Sequence, residues 1–238
     1  MRIIDAKWEE TNIGVTTAEI VIDMNDTVEE IKKAISEIDK QYMVCKVLSG
    51  RSDVTLLLQD MGFKYIEDQI EFEHDLHEVE RSRILQRLYD SLPYKLMDEA
   101  DIRFLFDEID KGMFDSDRIS LDPFFTKAQS ANRYKNWISS MVERGAYPYV
   151  MSYKGEPAGF VILTSDDGVT YHSVLGGGYE KFRGTGLGIV NREMEMTKKL
   201  GGKKLLTSVS SNNANQLKVL VSNGYVPRKV EHVFIKHN

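Results

Sequence analysis

Between residues 176 and 188 the chain reads Gly176-Gly177-Gly178-Tyr179-Glu180-Lys181-Phe182-Arg183-Gly184-Thr185-Gly186-Leu187-Gly188, six glycines in thirteen positions. Upstream, Thr170 to Leu175 is rich in β-branched and aromatic residues and predicts a strand. Downstream, Leu187, Val190, Met194, Thr197 and Leu200 recur at helical spacing, and Gly201-Gly202 supplies a helix end, which predicts a helix over 189–200. The glycines therefore join a strand end to a helix start, where bare backbone N–H groups and the positive end of the helix dipole converge on anything anionic. A glycine-rich turn that binds nothing is the alternative. Each glycine costs roughly 0.5–1 kcal/mol relative to alanine in regular structure, so six together favour a closely approaching ligand.

The type of anion site can be narrowed. A Walker loop ends in Gly-Lys-Ser/Thr, but Gly188 is followed by Ile189 and Val190, so the phosphate lysine and the magnesium hydroxyl are both missing. A dinucleotide fingerprint fails because Ile189 and Lys181 stand where third glycines belong. The pattern that fits is R-x-x-G-x-G, as Arg183, Gly186 and Gly188. It resembles the pyrophosphate loop of the GNAT superfamily of acyl-CoA-dependent acyltransferases. The resemblance implies that Arg183, Gly184, Thr185, Gly186, Leu187 and Gly188 hold the diphosphate of acetyl-CoA or another acyl-CoA.

Composition sets the outer limits. A chain of 238 residues can form one large domain or two small ones, and a net charge of −6 argues against a broad nucleic-acid surface. Met1 to Glu10 lacks the apolar segment of a signal peptide, and no run of eighteen apolar residues exists. A single cysteine, Cys45, lies in the apolar run Tyr42 to Leu48 and reads as a buried strand residue in a reducing cytoplasm. No metal site is expected: His74 and His77 sit in an acidic stretch with Glu71, Glu73, Asp75, Glu78 and Glu80 that reads as a solvated face, with loose cation binding as the other option.

From Ala18 to Phe72 the pattern is strand, helix, strand, helix, strand, with Thr27 and Glu30 as a capping box. His74 to Leu92 predicts a charged helix ended by Pro93. Then follow a strand at Tyr94 to Met97, a helix at Asp98 to Ile109, an irregular piece from Lys111 to Pro123, and an amphipathic helix from Thr126 to Glu143. Tyr149 to Tyr153 and Pro157 to Thr164 predict a hairpin turned at Gly155. Strand Leu205 to Ser210, helix Ala214 to Ser222 and strand Val230 to Lys236 complete the chain.

This order from Tyr94 to Asn238 resembles the GNAT fold, a mixed, mostly antiparallel α/β (α+β) sheet flanked by helices. The run from Phe114 to Pro123, with Ala131, Tyr134 and Trp137, is similar to the F-x-S-x-R-F-x-x-D-P…A-x-x-Y-x-x-W pattern of the TDP-fucosamine acetyltransferase branch, whose members also begin with a truncated GNAT-like half. The expected organisation is therefore 1–75 as a truncated GNAT-like α/β region, 76–93 as a helical connector and 94–238 as the acyltransferase domain.

The resemblance implies an N-acetyltransferase. Its acceptor would be a small-molecule amine, with the amino group of a nucleotide-linked deoxyamino sugar as the first choice; no nucleic acid or membrane span enters, and a homodimer is allowed. The acyl arm would run along the strand edge at Gly176, Gly177 and Gly178, where a backbone N–H can stabilise the oxyanion, and Asn213 would hydrogen bond the pantetheine amide or else cap its helix. His172 is the candidate base, placed by strand alternation with Val174 and Gly176; a histidine satisfied within the sheet is the alternative. Where the family carries a tyrosine that protonates the leaving thiolate, this chain has Leu220, with Tyr179, Ser222 or Tyr225 as possible substitutes. For the acceptor, the pattern points to Arg118 on a diphosphate, Asp122, Tyr134, and Trp137 stacked on a base or sugar. Against that, Tyr134 and Trp137 fall on the apolar stripe of their helix and Asp122 precedes Pro123 as a turn residue would. Two other readings stay open: acylation of a protein or small-metabolite amine, and a catalytically silent acyl-CoA-binding module.

Overall fold

The computed structural model describes residues 1–185, 187 and 189–238, with 189–191 described for main chain only. The strands are β1 (Arg2–Asp5), β2 (Thr17–Ile22), β3 (Tyr42–Leu48), β4 (Lys64–His74), β5 (Tyr94–Leu96), β6 (Tyr147–Tyr153), β7 (Glu156–Thr164), β8 (Thr170–Gly178), β9 (Lys204–Ser210) and β10 (Val226–His237). The helices are α1 (Lys7–Ile13), α2 (Val28–Ser36), α3 (Ser52–Asp60), α4 (Arg83–Asp90), α5 (Glu99–Asp110), α6 (Arg118–Leu121), α7 (Lys127–Glu143), α8 (Ile189–Lys199) and α9 (Ala214–Ser222). All ten strands form one sheet in the order β1-β2-β3-β10-β4-β9-β8-β7-β6-β5. Among the described residues only β2 with β3 and β8 with β9 run parallel, so the sheet is mixed and mostly antiparallel.

The last strand ties the two ends of the sequence together. β10 lies between β3 and β4, pairing Phe234 with Cys45 on one side and with Tyr65 on the other. Phe234 is buried among Ile20, Ile31, Val47 and Leu58, so a residue from the C-terminus completes the N-terminal core. A unit with too few strands to bury its own apolar face gains one from the far end of the chain. Two further cores cover the other half: Tyr171, Met194, Leu205 and Leu220 under α8 and α9, and Leu105, Tyr134, Ile138, Phe160 and Leu175 under α5 and α7.

Local chemistry explains most element ends. Thr27 Oγ1 accepts from the Glu30 N–H at 3.3 Å and Glu30 Oε2 accepts from the Thr27 N–H at 3.0 Å, which is the capping box that opens α2. The hairpin turn takes positive φ at both central residues, 51° at Lys154 and 84° at Gly155. The segment after β4 differs from expectation, because helix begins only at Arg83. His74 Nδ1 accepts from the Leu76 N–H at 2.8 Å and Asp75 Oδ1 from the His77 N–H at 3.1 Å, and Leu76 has φ 63°. Side chains that satisfy the backbone locally compete with the helix there. β1 and α1 are also additions, formed from the charged opening of the chain.

Candidate active site

The central feature is the parting of two parallel strands. β8 and β9 pair from Thr170↔Lys204 to Ser173↔Thr207 and no further. Beyond that point β8 stays with β7, ending at Gly159↔Gly178, while β9 stays with β4, ending at Gln69↔Ser210. A cleft of about 890 Å³ opens between them, lined by Ser173 to Gly178 and Thr207 to Ser210.

A bulge starts the divergence. Leu163 pairs with Ser173 but Ile162 pairs with Leu175, leaving Val174 as an extra residue. Such an insertion bends its strand and turns every later side chain to the opposite face. Tyr171 accordingly packs with Met194 and Leu205 under α8, whereas Leu175 packs with Phe160 and Ile162 under α7. Downstream, Gly176 is required by close approach: a Cβ there would lie 2.9 Å from Val161 Cγ2 and 3.3 Å from the Phe160 carbonyl oxygen.

The cofactor candidates divide into three groups. Gly176, Gly177, Gly178 and Asn213 line the cleft. Asn213 Oδ1 caps α9 by accepting from the Gln216 N–H at 3.1 Å, while its NH₂ has no hydrogen-bond partner among the described residues. Arg183, Gly184 and Thr185 follow a short 3-10 turn (Glu180–Phe182) and are exposed, with φ +75° at Gly184 and Thr185 Oγ1 donating to the Phe182 carbonyl at 2.7 Å. The Arg183 guanidinium donates to the Met113 carbonyl at 3.3 Å, and Leu187 is buried against Leu92 and Ala158. Gly186 and Gly188 lie outside the described residues.

None of the three catalytic candidates lines the cleft. His172 is half-buried in the body of the sheet, opposite Thr164 and Leu206, one residue before the strands part. The alternation that groups it with Val174 and Gly176 is broken by the bulge. Tyr179 is a core residue, its ring parallel to Phe160 at 6.1 Å and its hydroxyl without a partner among the described residues. Ser222 is exposed and its Oγ donates back to the Lys218 carbonyl at 2.7 Å. Leu220, on the inner face of α9, is fully buried.

The acceptor candidates also separate. Tyr134 and Trp137 both form cleft wall, and Tyr134 stacks on Phe114 with centroids 4.1 Å apart. Arg118 reaches the wall as well, but its guanidinium is committed to Glu19 at 2.5 Å and Glu9 at 3.2 Å, with Arg133 sharing Glu9 at 2.8 Å. A guanidinium held by two carboxylates is a structural tie, and its buried Nε has no partner among the described residues. Asp122 stands outside the cleft: it accepts from the Phe124 N–H at 3.0 Å, as a turn residue does, and pairs with His237 at 2.7 Å.

Three residues that the sequence did not single out add to the cleft wall. Glu193, on the inner side of α8, is buried and accepts from Ser173 Oγ and from Tyr225 Oη, the latter at 2.5 Å. Burial, opposed by those two hydroxyls, pushes its carboxyl up to about 7. On the far wall, Glu67 is 2 % exposed and its Oε2 has no partner among the described residues. Burial raises its pKa, while Ser210 pulls the other way. Lys46 faces the same cleft with its pKa lowered by burial. The signal available for Glu193 was a charged residue one position before Met194 on an apolar helical stripe; Glu67 and Lys46 alternate within ordinary strand patterns and gave none.

No protein-family model matches the sequence, and no curated protein does either. Solved structures do share the fold. A functionally unknown conserved protein from Staphylococcus epidermidis superposes with a TM-score of 0.67 at 15% identity, over 94% of this chain and 85% of that one. A GCN5-related N-acetyltransferase from Sphaerobacter thermophilus gives 0.60 at 11% identity over 88% and 64%. A tandem GNAT protein from the clavulanic acid biosynthesis pathway gives 0.55 at 14% identity over 93% and 75%. The chain has the GNAT fold, with its parted parallel strands and its mixed, mostly antiparallel sheet.

Proposed function

We propose that the protein is an acyl-CoA-dependent N-acyltransferase whose cofactor enters between β8 and β9. The observation that carries this reading is the parting of the strands after Ser173↔Thr207, which turns unpaired main-chain groups of both strands toward one cleft. The glycine edge fits a thin acyl arm, since Gly176 leaves no room for a Cβ and Gly177 presents backbone without a side chain. Gly176 to Gly178 and the Asn213 NH₂ would hold the arm, and Arg183 to Thr185 would take the diphosphate. The bound acyl-CoA supplies a thioester already activated toward an amine.

The protein's share is then position and proton handling. Holding two reactants in line can supply roughly 7–11 kcal/mol of a barrier. Glu67, buried and with its Oε2 unpartnered among the described residues, would accept the proton that an ammonium must lose before attack. Glu193, its carboxyl pushed up to about 7 by burial, would supply a proton through Ser173, which Leu220 cannot do. In this reading 94–238 carries the cofactor, 76–93 connects, and 1–75 supplies the acceptor wall through Trp8, Glu19, Lys46 and Glu67.

A nucleotide-linked deoxyamino sugar is the acceptor suggested by the run from Phe114 to Trp137. Trp137 and Tyr134 support it by facing the cleft, but the diphosphate would need Lys46 or Arg144, because Arg118 is tied to Glu9 and Glu19. Free thiol released from acetyl-CoA with a panel of amino sugars, peptides and polyamines tests the proposal. Thiol release that depends on an added amine is expected. Saturable coenzyme A binding with no release on any amine would favour a silent binding module.

A further inference from the structure

The acceptor wall carries an ionic pattern that narrows the acceptor. Val233 of β10 pairs with Lys46 on one side and with Glu67 on the other, so the three residues form one row across three strands and point to one face. Adjacent strands lie about 4.8 Å apart, which puts the Lys46 and Glu67 main chains roughly 9.5–10 Å from each other with a valine between. Neither has an ion-pair partner among the described residues.

Their ionic neighbours are matched with one another. Glu19 is bound by Arg118 at 2.5 Å, Asp117 by Arg133 at 3.5 Å, and Glu231 by Lys229 at 2.7 Å. Arg144, at the exposed rim, donates to the Ser140 carbonyl at 3.1 Å. Ser210 and the Arg118 N–H bond the Glu67 carboxyl but bring it no ion pair, and taking an ammonium and a carboxyl out of water without an ionic partner is costly. A ligand with the opposite charges at the matching spacing removes that cost.

We propose that the acceptor is a small molecule carrying both a primary amine and an anionic group, its amine on Glu67 and its anion on Lys46. The orientation follows from strand order. Glu67 is on β4, which borders β9 and the parting of the strands, whereas Lys46 is on β3, two strands farther out. The amine thus lies toward the cofactor cleft and the anion away from it. Trp8, Tyr134 and Trp137 line the same cleft and suit an apolar or sugar body between the two charges. This inference rests on the acyltransferase reading, and it covers two sources of anion, a carboxylate and a phosphate.

Matched amines that differ only in the anion test it: 5-aminovalerate against 1-aminopentane, and glucosamine 6-phosphate against glucosamine, each titrated calorimetrically into the full-length protein. The anionic member of at least one pair should bind roughly ten- to hundredfold more tightly. Which pair shows the preference identifies the anion. Lys46→Met should erase that preference while leaving coenzyme A affinity unchanged, and Lys46→Glu should shift it toward 1,5-diaminopentane. Equal binding within both pairs, a preference that survives Lys46→Met, or no binding of any of these amines would overturn the inference. Coenzyme A titrated into the same samples separates the two readings. Failure of coenzyme A to bind counts against the acyltransferase reading even if the anionic amines bind.

Discussion

Replacing Glu193 by glutamine should make the protein more resistant to unfolding at alkaline pH and change little at acid pH. The carboxyl is buried, bonded by Ser173 and Tyr225 and, among the described residues, opposed by no cation within ion-pair distance. Its pKa rises from 4.5 to about 7, which at 1.36 kcal/mol per unit is worth about 3 kcal/mol. Below pH 4.5 the carboxyl is protonated in both folded and unfolded chains and contributes nothing. Between 4.5 and about 7 the unfolded chain releases the proton while the folded chain keeps it, so stability falls as pH rises. Above about 7 both are ionised and the folded state carries the whole penalty. Glutamine never ionises, and it can accept one hydroxyl while donating to the other. Urea unfolding of both proteins across this range, extrapolated to water, should show the stability difference (variant minus wild type) growing by about 3 kcal/mol from the acid to the alkaline end. A difference independent of pH would refute the assignment of a raised, buried carboxyl at this position.

Other outcomes follow from the same contacts. Arg118→Met leaves Glu9 and Glu19 without their shared guanidinium and should cost roughly 3–5 kcal/mol in denaturant unfolding; a loss under about 1 kcal/mol would return Arg118 to the acceptor site. Gly176→Val drives side-chain atoms into Val161 and the Phe160 carbonyl and should cost roughly 1–3 kcal/mol while weakening coenzyme A binding, both measurable by thermal shift with and without the cofactor. Glu67→Gln should lower the acylation rate and flatten the rise of rate with pH that deprotonation of a raised carboxyl gives, whereas His172→Ala should leave the pH profile of thiol release as it is in the wild type. A profile altered by the histidine substitution instead would restore His172 as the base.

What could be read beforehand was governed by local rules. The capping box at Thr27, the turn at Gly155 and the strand–glycine–helix order around the loop all express short-range backbone preferences, and they placed the glycine edge of the cleft at Gly176 to Gly178. The acceptor side was hidden by distance. Glu9 meets Arg118 across 109 positions, and Lys46 meets Glu67 only through Val233 of a strand from the other end of the chain. His172 stands off the cleft for a different reason: strand alternation holds until a single inserted residue, Val174, reverses it, and nothing in Ser173-Val174-Leu175 marks a bulge. Tyr179 and Ser222 were named for their hydroxyls alone, which says nothing about whether a side chain faces a core, solvent or a cleft.

The claim on which the account turns is that the gap between β8 and β9 holds a coenzyme A thioester. Crystals of the protein grown with coenzyme A test it directly. The account predicts one cofactor per chain, its arm lying between Ser173–Gly178 and Thr207–Ser210 and in reach of Asn213. An arm bound elsewhere, or a cleft without cofactor at concentrations that saturate acyltransferases of this fold, would contradict it.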